Sequence, residues 1–503
     1  MKVKALQICG TGSGVGKSLL SAALCRIFRQ DGIRVCPFKA QNMALNSYVT
    51  QGGGEIGRAQ AVQAQAAGLE PMVDMNPILI KPSADRKAQI IIRGKPLTDM
   101  SVYSYVKYKK KARKIVEASY RRLASRFDLV VIEGAGSPAE INLRSHDIVN
   151  MAMAEYADAS VILVGDIDKG GVFAWLVGTL ELLTSGERAR IKGFIINKFR
   201  GDKRLLRSGV RWLEKKTKIP VLGVVPYFKN IRIAEEDSVP LKRQSFKKQR
   251  HPGDMLDMVV IHLPHISNFT DFDALEREPD ARLRYVQNPR ELGTPDVIFL
   301  PGTKNTAADL GFLKKNGMLE AITDFMAKNS QANLIGICGG YQMLGLEIYD
   351  GKGVESGKEI IRGLGFLPVV TTFDKKKTLT RVVAQHQGTG DFVRGYEIHH
   401  GQTQLIQPSM SVFKVTERMG EKTPYFDGAA SRDGRIWGTY VHGIFDADGF
   451  RRNFLNNVRR AKGLSPLEQT YYIDDEKEFD KLAALVRSNL GMKNVYSILG
   501  IKA

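Results

Sequence analysis

Short apolar runs without polar alternation recur along the chain and are separated by longer stretches of helical periodicity. In the first half they fall at residues 5–9, 34–36, 129–132, 160–164, 191–196 and 221–225. Runs of this kind read as strands buried on both faces. Their alternation with helical patterns predicts a mostly parallel sheet with crossover helices. A second α/β pattern opens at Met258-Val259-Val260-Ile261-His262 and continues through residues 297–300 and 334–337 to Trp437-Gly438-Thr439-Tyr440-Val441. Between the two halves, Lys242-Arg243-Gln244-Ser245-Phe246-Lys247-Lys248-Gln249-Arg250 is polar and basic and runs into His251-Pro252-Gly253-Asp254, the signature of a linker. The expected organisation is an α/β domain over 1–240, a basic linker over 241–255, a second α/β domain over 256–450 and a helical extension over 451–503.

Composition narrows the class. A chain of 503 residues, 43% hydrophobic and 25% charged, is an ordinary globular protein of several domains. No apolar run approaches the ~18 residues that cross a bilayer, and Met1-Lys2-Val3-Lys4 leads directly into the first expected strand, with no room for a signal peptide. Cys9, Cys25, Cys36 and Cys338 show neither paired nor metal-binding spacing, as expected of a cytoplasmic protein. The net charge of +21 suggests an anionic partner. Much of it, however, sits in the linker and in Lys107-Tyr108-Lys109-Lys110-Lys111-Ala112-Arg113-Lys114, which reads as the solvated face of a helix ending near Leu123. No zinc-finger spacing or aromatic-basic motif accompanies it, so neither nucleic acid nor membrane is expected as a partner.

The first chemistry lies in Gly10-Thr11-Gly12-Ser13-Gly14-Val15-Gly16-Lys17-Ser18, between the first strand and a helix. Strand, glycine-rich turn and helix N-terminus aim consecutive backbone N–H groups at an anion. Gly12, Ser13, Gly14, Val15 and Gly16 would cradle the phosphates of ATP, Lys17 would neutralise them and Ser18 would hold Mg²⁺. The spacing departs from the common pattern, since Thr11 occupies the slot of its first glycine, and Gly12 occupies that of the partition-ATPase lysine. The form resembles dethiobiotin synthetase, a P-loop ligase that phosphorylates a carboxylate. Ligands of such sheets gather at the carboxyl ends of the strands. Glu133, after 129–132, is the expected second Mg²⁺ ligand, with a turn-capping carboxylate as the alternative. Asp166 is a candidate substrate contact, Asn197 a candidate reader of the nucleotide base, and Lys39 a phosphate or carboxylate contact. The carboxamides of Gln41, Asn42 and Asn46 suit a substrate with several amide or acid groups, or form a polar loop bonded to its own backbone.

In the second half, Gly336-Ile337-Cys338-Gly339-Gly340-Tyr341-Gln342 places a single cysteine among small residues between strand and helix. This is a nucleophile elbow with Cys in place of Ser. His442, at the end of a later strand, is the expected base. The N–H groups of Gly302, after strand 297–300, and Gly339 are the expected oxyanion hole. Class I glutamine amidotransferases often carry a glutamate two residues after this histidine; here that position is Ile444, which leaves Glu397, Asp446 and Asp448 as candidates to orient the imidazole.

These motifs together resemble the cobyric acid synthase family, glutamine-hydrolysing amidotransferases of cobalamin biosynthesis. The resemblance runs through Pro37-Phe38-Lys39-Ala40-Gln41-Asn42-Met43-Ala44-Leu45-Asn46, Gly165-Asp166-Ile167-Asp168-Lys169-Gly170-Gly171, Ile196-Asn197-Lys198-Phe199-Arg200, Leu300-Pro301-Gly302-Thr303-Lys304 and Gly395-Tyr396-Glu397-Ile398-His399-His400-Gly401. It implies a P-loop, dethiobiotin synthetase-like amidoligase domain followed by a class I glutamine amidotransferase-like α/β domain. It also implies ATP and Mg²⁺ as cofactors, and glutamine and a corrinoid acid as substrates. The implied reaction is amidation of the b, d, e and g carboxylates of adenosylcobyrinic acid a,c-diamide, with ammonia passing through the protein. Cobyrinic acid a,c-diamide synthase is the nearest alternative. A regulatory P-loop ATPase with an inactive glutaminase-like domain is a more distant one.

Overall fold

The computed structural model describes residues 3–84, 87–228, 231, 233, 254–406, 410–469 and 471–502. The second basic run and most of the expected 241–255 linker lie outside the described residues. The chain forms two compact units.

The first unit is built on β1 (Lys4–Gly10), β2 (Val35–Phe38), β3 (Leu129–Glu133), β4 (Ser160–Asp166), β5 (Ile191–Phe199) and β6 (Val221–Pro226). Their order is β6-β5-β4-β1-β3-β2, and every neighbouring pair is parallel. All six apolar runs expected to be strands are therefore strands, and β3 is buried throughout because helices cover both sheet faces. α1 (Lys17–Gln30) packs Leu20, Leu24, Ile27 and Phe28 on one face. α2 (Arg58–Ala66) follows a detour in the chain, and α3 (Val102–Ala124) buries Tyr105, Ala112, Val116, Tyr120 and Leu123. Lys107, Lys110, Lys111, Arg113 and Lys114 of α3 point to solvent, as expected of a charge run on an amphipathic helix. A small sheet of residues 41–43, 78–84, 87–92 and 95–101 is inserted before α3.

The second unit carries β7 (Leu256–Ile261), β8 (Ala281–Val286), β9 (Val297–Leu300), β10 (Asn333–Ile337), β11 (Val369–His386), β12 (Phe392–Leu405), β13 (Ala429–Ala430) and β14 (Ile436–Thr439). Its α/β sheet has the order β8-β7-β9-β10-β14-β13, parallel except for the terminal β13. The long antiparallel pair β11–β12 belongs to a second sheet inserted between the cysteine and histidine strands. α4 (Thr306–Lys315), α5 (Gly339–Leu344) and α6 (Asp448–Ala461) complete the parts used below.

Two stretches leave the expected layout. The 451–503 tail is divided: α6 belongs to the second unit, whereas α7 (Asp475–Arg487) and α8 (Met492–Leu499) belong to the first. There Phe479, Leu482, Val486, Val495 and Leu499 share a core with α1, and Arg26 pairs with Glu476 and Asp480 at 2.7 Å. Leu45–Gly53, by contrast, belongs to the second unit although it lies within the N-terminal sequence.

Candidate functional site

The loop after β1 has the geometry that its glycines dictate. Gly14 and Gly16 adopt φ of 69° and 94°, and a Cβ on Gly16 would stand 2.3 Å from Asn197 Nδ2. Only glycine tolerates both demands. Asn197, at the end of β5, donates from Nδ2 to Val15 O at 2.8 Å. Its Oδ1, like the Thr11 hydroxyl, is buried without a hydrogen-bond partner. Lys17 Nζ bonds Gly12 O at 2.8 Å and Gly136 O at 3.0 Å. Lys198 Nζ reaches Gly14 O at 2.5 Å and Asp166 Oδ2 at 3.0 Å. Two ammonium groups thus converge on a loop whose backbone N–H groups open a helix, an arrangement suited to phosphate.

Glu133, at the end of β3, is fully buried among Ser18, Lys39 and Gln63. Ser18 Oγ donates to its Oε1 at 2.9 Å, Lys39 Nζ to the same oxygen at 2.8 Å and Gln63 Nε2 to Oε2 at 2.5 Å. Burial pushes the carboxyl up, but Lys39, Gln63 and Lys17 outweigh it and hold Glu133 below the usual carboxylate range. A hydroxyl and an ionised carboxylate at this separation are the oxygen donors that Mg²⁺ takes beside nucleotide phosphates, so the residues fit the ion. Of the three carboxamides, Gln41 accepts from the Tyr105 hydroxyl and Asn42 donates to Gln60 at 2.9 Å. Asn46 stands elsewhere, in the second unit, where its Oδ1 accepts the Phe269 N–H at 3.2 Å.

In the second unit Cys338 sits between β10 and α5 with φ 53° and ψ −106°, a conformation that is strained for a residue with a side chain. The close approaches behind the turn explain its glycines: a Cβ on Gly340 would stand 1.9 Å from Leu300 O, and one on Gly336 2.6 Å from the Gly340 carbonyl carbon. Cys338 Sγ donates to Ile398 O at 3.4 Å and lies within hydrogen-bond reach of His442. Gly339 opens α5, so its N–H is among the donors left free by the helix start. Gly302 comes so close to the pair that a Cβ there would stand 3.0 Å from His442 Cε1 and 3.8 Å from Cys338 Cβ. All four residues expected in this centre are therefore together. The other cysteines are buried thiols, Cys9 pushed up to about 12 by burial.

The carboxylate bonded to His442 is Asp271, which sequence reasoning missed. Its Oδ2 lies 2.7 Å from His442 Nδ1, and its Oδ1 accepts the Gly443 N–H at 2.9 Å. Burial pushes the imidazole down, but Asp271 and then the Cys338 sulfur outweigh it and lift His442 to about 10. Two of the three carboxylates named from sequence have other hydrogen-bond or ion-pair partners. Glu397 accepts from the Tyr425 hydroxyl at 2.7 Å and Asp448 pairs with Arg451 at 2.6 Å, whereas the acid bonded to His442 Nδ1 is Asp271. Asp271 lies in the short turn Phe269–Phe272 that follows β7. The signal available in the sequence was its place in a loop at the carboxyl end of a parallel strand.

Comparison with known proteins agrees with this geometry in both halves. Residues 6–241 match the model of the CobQ/CobB/MinD/ParA nucleotide binding domain, and residues 257–450 that of the CobB/CobQ-like glutamine amidotransferase domain. A cobyric acid synthase of Clostridium botulinum (strain Loch Maree / Type A3) is 50% identical over 500 residues, 99% of each chain. One of Dehalococcoides mccartyi is 50% identical over 504 residues, 99% of this chain and 98% of that one. The adenosylcobalamin biosynthesis bifunctional protein CobDQ of Leptospira interrogans is 48% identical over 505 residues, and the match spans 99% of this chain and 57% of that longer protein. With two domains in this order and half of its residues shared with such relatives along nearly its full length, the chain belongs to the cobyric acid synthase family of glutamine-dependent amidotransferases.

Proposed function

We propose that this protein amidates the b, d, e and g carboxylates of adenosylcobyrinic acid a,c-diamide in turn, giving adenosylcobyric acid and consuming one ATP and one glutamine each time. A carboxylate resists nucleophiles until its oxygen is made a leaving group. In this reading the carboxylate attacks the γ-phosphorus of ATP, and the bond to the β–γ bridging oxygen breaks to release ADP and leave an acyl phosphate. Lys17 and Lys39 neutralise charge around the transferred group, the Gly12–Gly16 N–H groups hold the remaining phosphates, and Asn197 reads the base. Ser18 and Glu133 would hold Mg²⁺, which would supply charge neutralisation on the phosphates. Ammonia then adds to the acyl carbon and phosphate departs, which leaves the amide.

The ammonia comes from the second centre. The Cys338 thiol passes its proton to His442 as its sulfur attacks the glutamine carboxamide carbon, and the oxyanion is held by the N–H groups of Gly302 and Gly339. The His442 imidazolium, oriented by Asp271, gives its proton to the departing nitrogen. The neutral ring then draws a proton from the water that cleaves the thioester to glutamate. The observation that carries the reading is the buried Cys338–His442–Asp271 array, which has no use in a nucleotide switch. With ATP, glutamine and the diamide, mass spectrometry of the corrinoid is expected to count four carboxylates converted. Cys338→Ala is expected to abolish conversion with glutamine and keep it with ammonium salts. Failure to convert the diamide with either nitrogen source would refute the substrate assignment, and glutamine hydrolysis by Cys338→Ala would refute the nucleophile.

A further inference from the structure

Segment Leu45–Gly53 lies between two short strands of the first unit, residues 41–43 and 55–57, yet it belongs to the second, where Asn46, Ser47, Val49 and Thr50 are buried. Asn46 and Ser47, 0% and 1% exposed, grip the start of the turn that carries Asp271. Asn46 Oδ1 accepts the N–H of Phe269, 223 positions later in the chain, and the Ser47 N–H donates to Asn268 Oδ1 at 3.1 Å. Asn268 takes a left-handed backbone with φ 53°, and its Nδ2 stands 3.5 Å from His442 Nε2. Further along, the Val49 carbonyl accepts from Arg381 Nε at 2.8 Å, and the Tyr48 hydroxyl from Arg381 Nη2 at 2.7 Å. The Val49 side chain packs against Tyr396 and Ile398. These two residues also contact the dyad: the Tyr396 ring stacks on His442 with centroids 5.1 Å apart, and the Ile398 carbonyl accepts from the Cys338 thiol.

We propose that Leu45–Gly53 is a positioning element of the glutaminase centre, in which Asn46 holds the Asn268–Phe272 turn so that Asp271 and Asn268 meet the two nitrogens of His442. The inference rests on the glutaminase reading of Cys338 and His442. Catalytic geometry that depends on one turn is sensitive to small displacements. Phe269 and Phe272 anchor this turn in the core, and Asn46 and Ser47 hold its first residues, where Asn268 stands at positive φ. Toward the turn, Asn46 acts as an acceptor for a backbone N–H. A carboxylate fills this role as well, whereas alanine leaves a buried donor unsatisfied.

The test uses the full-length protein. Glutamine hydrolysis is measured against pH for wild type, Asn46→Ala and Asn46→Asp, beside amidation driven by ammonium. Among the described residues, the titratable groups facing His442 include Asp271, Cys338, Glu397, His399 and the stacked Tyr396. Asn46→Ala is expected to lower kcat for glutamine hydrolysis at least tenfold with little change in KM, and to move the alkaline limb of the kcat profile to lower pH as Asp271 slackens. Asn46→Asp is expected to recover most of kcat. A loss of ammonium-driven amidation as large as the loss of glutamine hydrolysis would overturn the proposal and make Asn46 a ligand of the acid substrate. An unmoved alkaline limb, a pure KM effect, or Asn46→Asp as slow as Asn46→Ala would overturn it too. Failure of the underlying reading is separate, because it shows as glutamine hydrolysis that survives Cys338→Ala.

Discussion

Replacing Asp271 by asparagine removes one charge from the glutaminase centre and almost no volume. With the carboxylate in place His442 is lifted from 6.5 to about 10 against the effect of burial. At about 1.36 kcal/mol per pH unit, a shift of this size corresponds to roughly 5 kcal/mol favouring the imidazolium, shared between Asp271 and the Cys338 sulfur. That agrees with the ~3–5 kcal/mol lost when one partner of a buried ion pair is removed. Asparagine can still accept the Gly443 N–H through Oδ1, but its NH₂ group then faces Nδ1 and selects the tautomer with its proton on Nε2. The equivalent change in Ser-His-Asp hydrolases costs about 10⁴ in kcat. A thiol needs less help from its base, so the expected loss here is on the order of 10²–10³. The assay is glutamate release from glutamine at saturation, with Cys338→Ala as the zero. Stability should follow the same group. A histidine whose folded value is raised contributes fully below its unfolded value of 6.5 and loses that contribution as pH rises through about 10. The deficit of Asp271→Asn in thermal unfolding should therefore be largest below pH 6.5 and shrink through pH 10. A loss of kcat under tenfold, or a deficit that grows with pH, would refute the assignment of Asp271 as the residue that orients His442.

Glu133→Gln is expected to lower ATP-dependent amidation with ammonium by about a hundredfold, with a raised requirement for Mg²⁺, read by titrating the metal against rate. Because Glu133 is held below 4.5 by Lys39 and Gln63, its contribution to stability is present above that value and lost as pH falls through its folded value, which acid unfolding of the pair of proteins can follow. Gly340→Ala should destabilise the second unit by at least the ~1–3 kcal/mol of an overpacked core, since its methyl would stand 1.9 Å from Leu300 O. Gly311→Ala, inside α4 with nothing within 4 Å of the new Cβ, should instead stabilise by about 0.4–1 kcal/mol. Differential scanning calorimetry of both variants checks the contrast.

Much of the architecture and the elements of both candidate sites were legible in the residues, and particular elements show why. The six strands of the first sheet are buried on both faces, so each appears as an uninterrupted apolar run that needs no partner to be recognised. Less legible were the inserted sheets, especially the β11–β12 pair. Those strands carry exposed Lys375, Lys376 and Arg394 among buried Val382, Ala384 and Val393, and one face meets water. The tail misled for a different reason: α6 and α7 are both amphipathic, and amphipathicity tells that a face is covered without telling by which sheet.

The contiguous sequence by itself determined the phosphate loop, the cysteine elbow and the glycines that let backbones meet. Each is a local backbone conformation, written in neighbouring residues that can adopt it. Only the tertiary structure decided that Asp271 meets His442 Nδ1, that Asn46 bonds the Phe269 N–H, and that α7 and α8 close the core around α1. A hydrogen bond between residues 171 or 223 positions apart leaves no period or spacing in the chain. It exists because packing brings two elements together, and packing energy depends on which surfaces meet rather than on where they occur in the sequence.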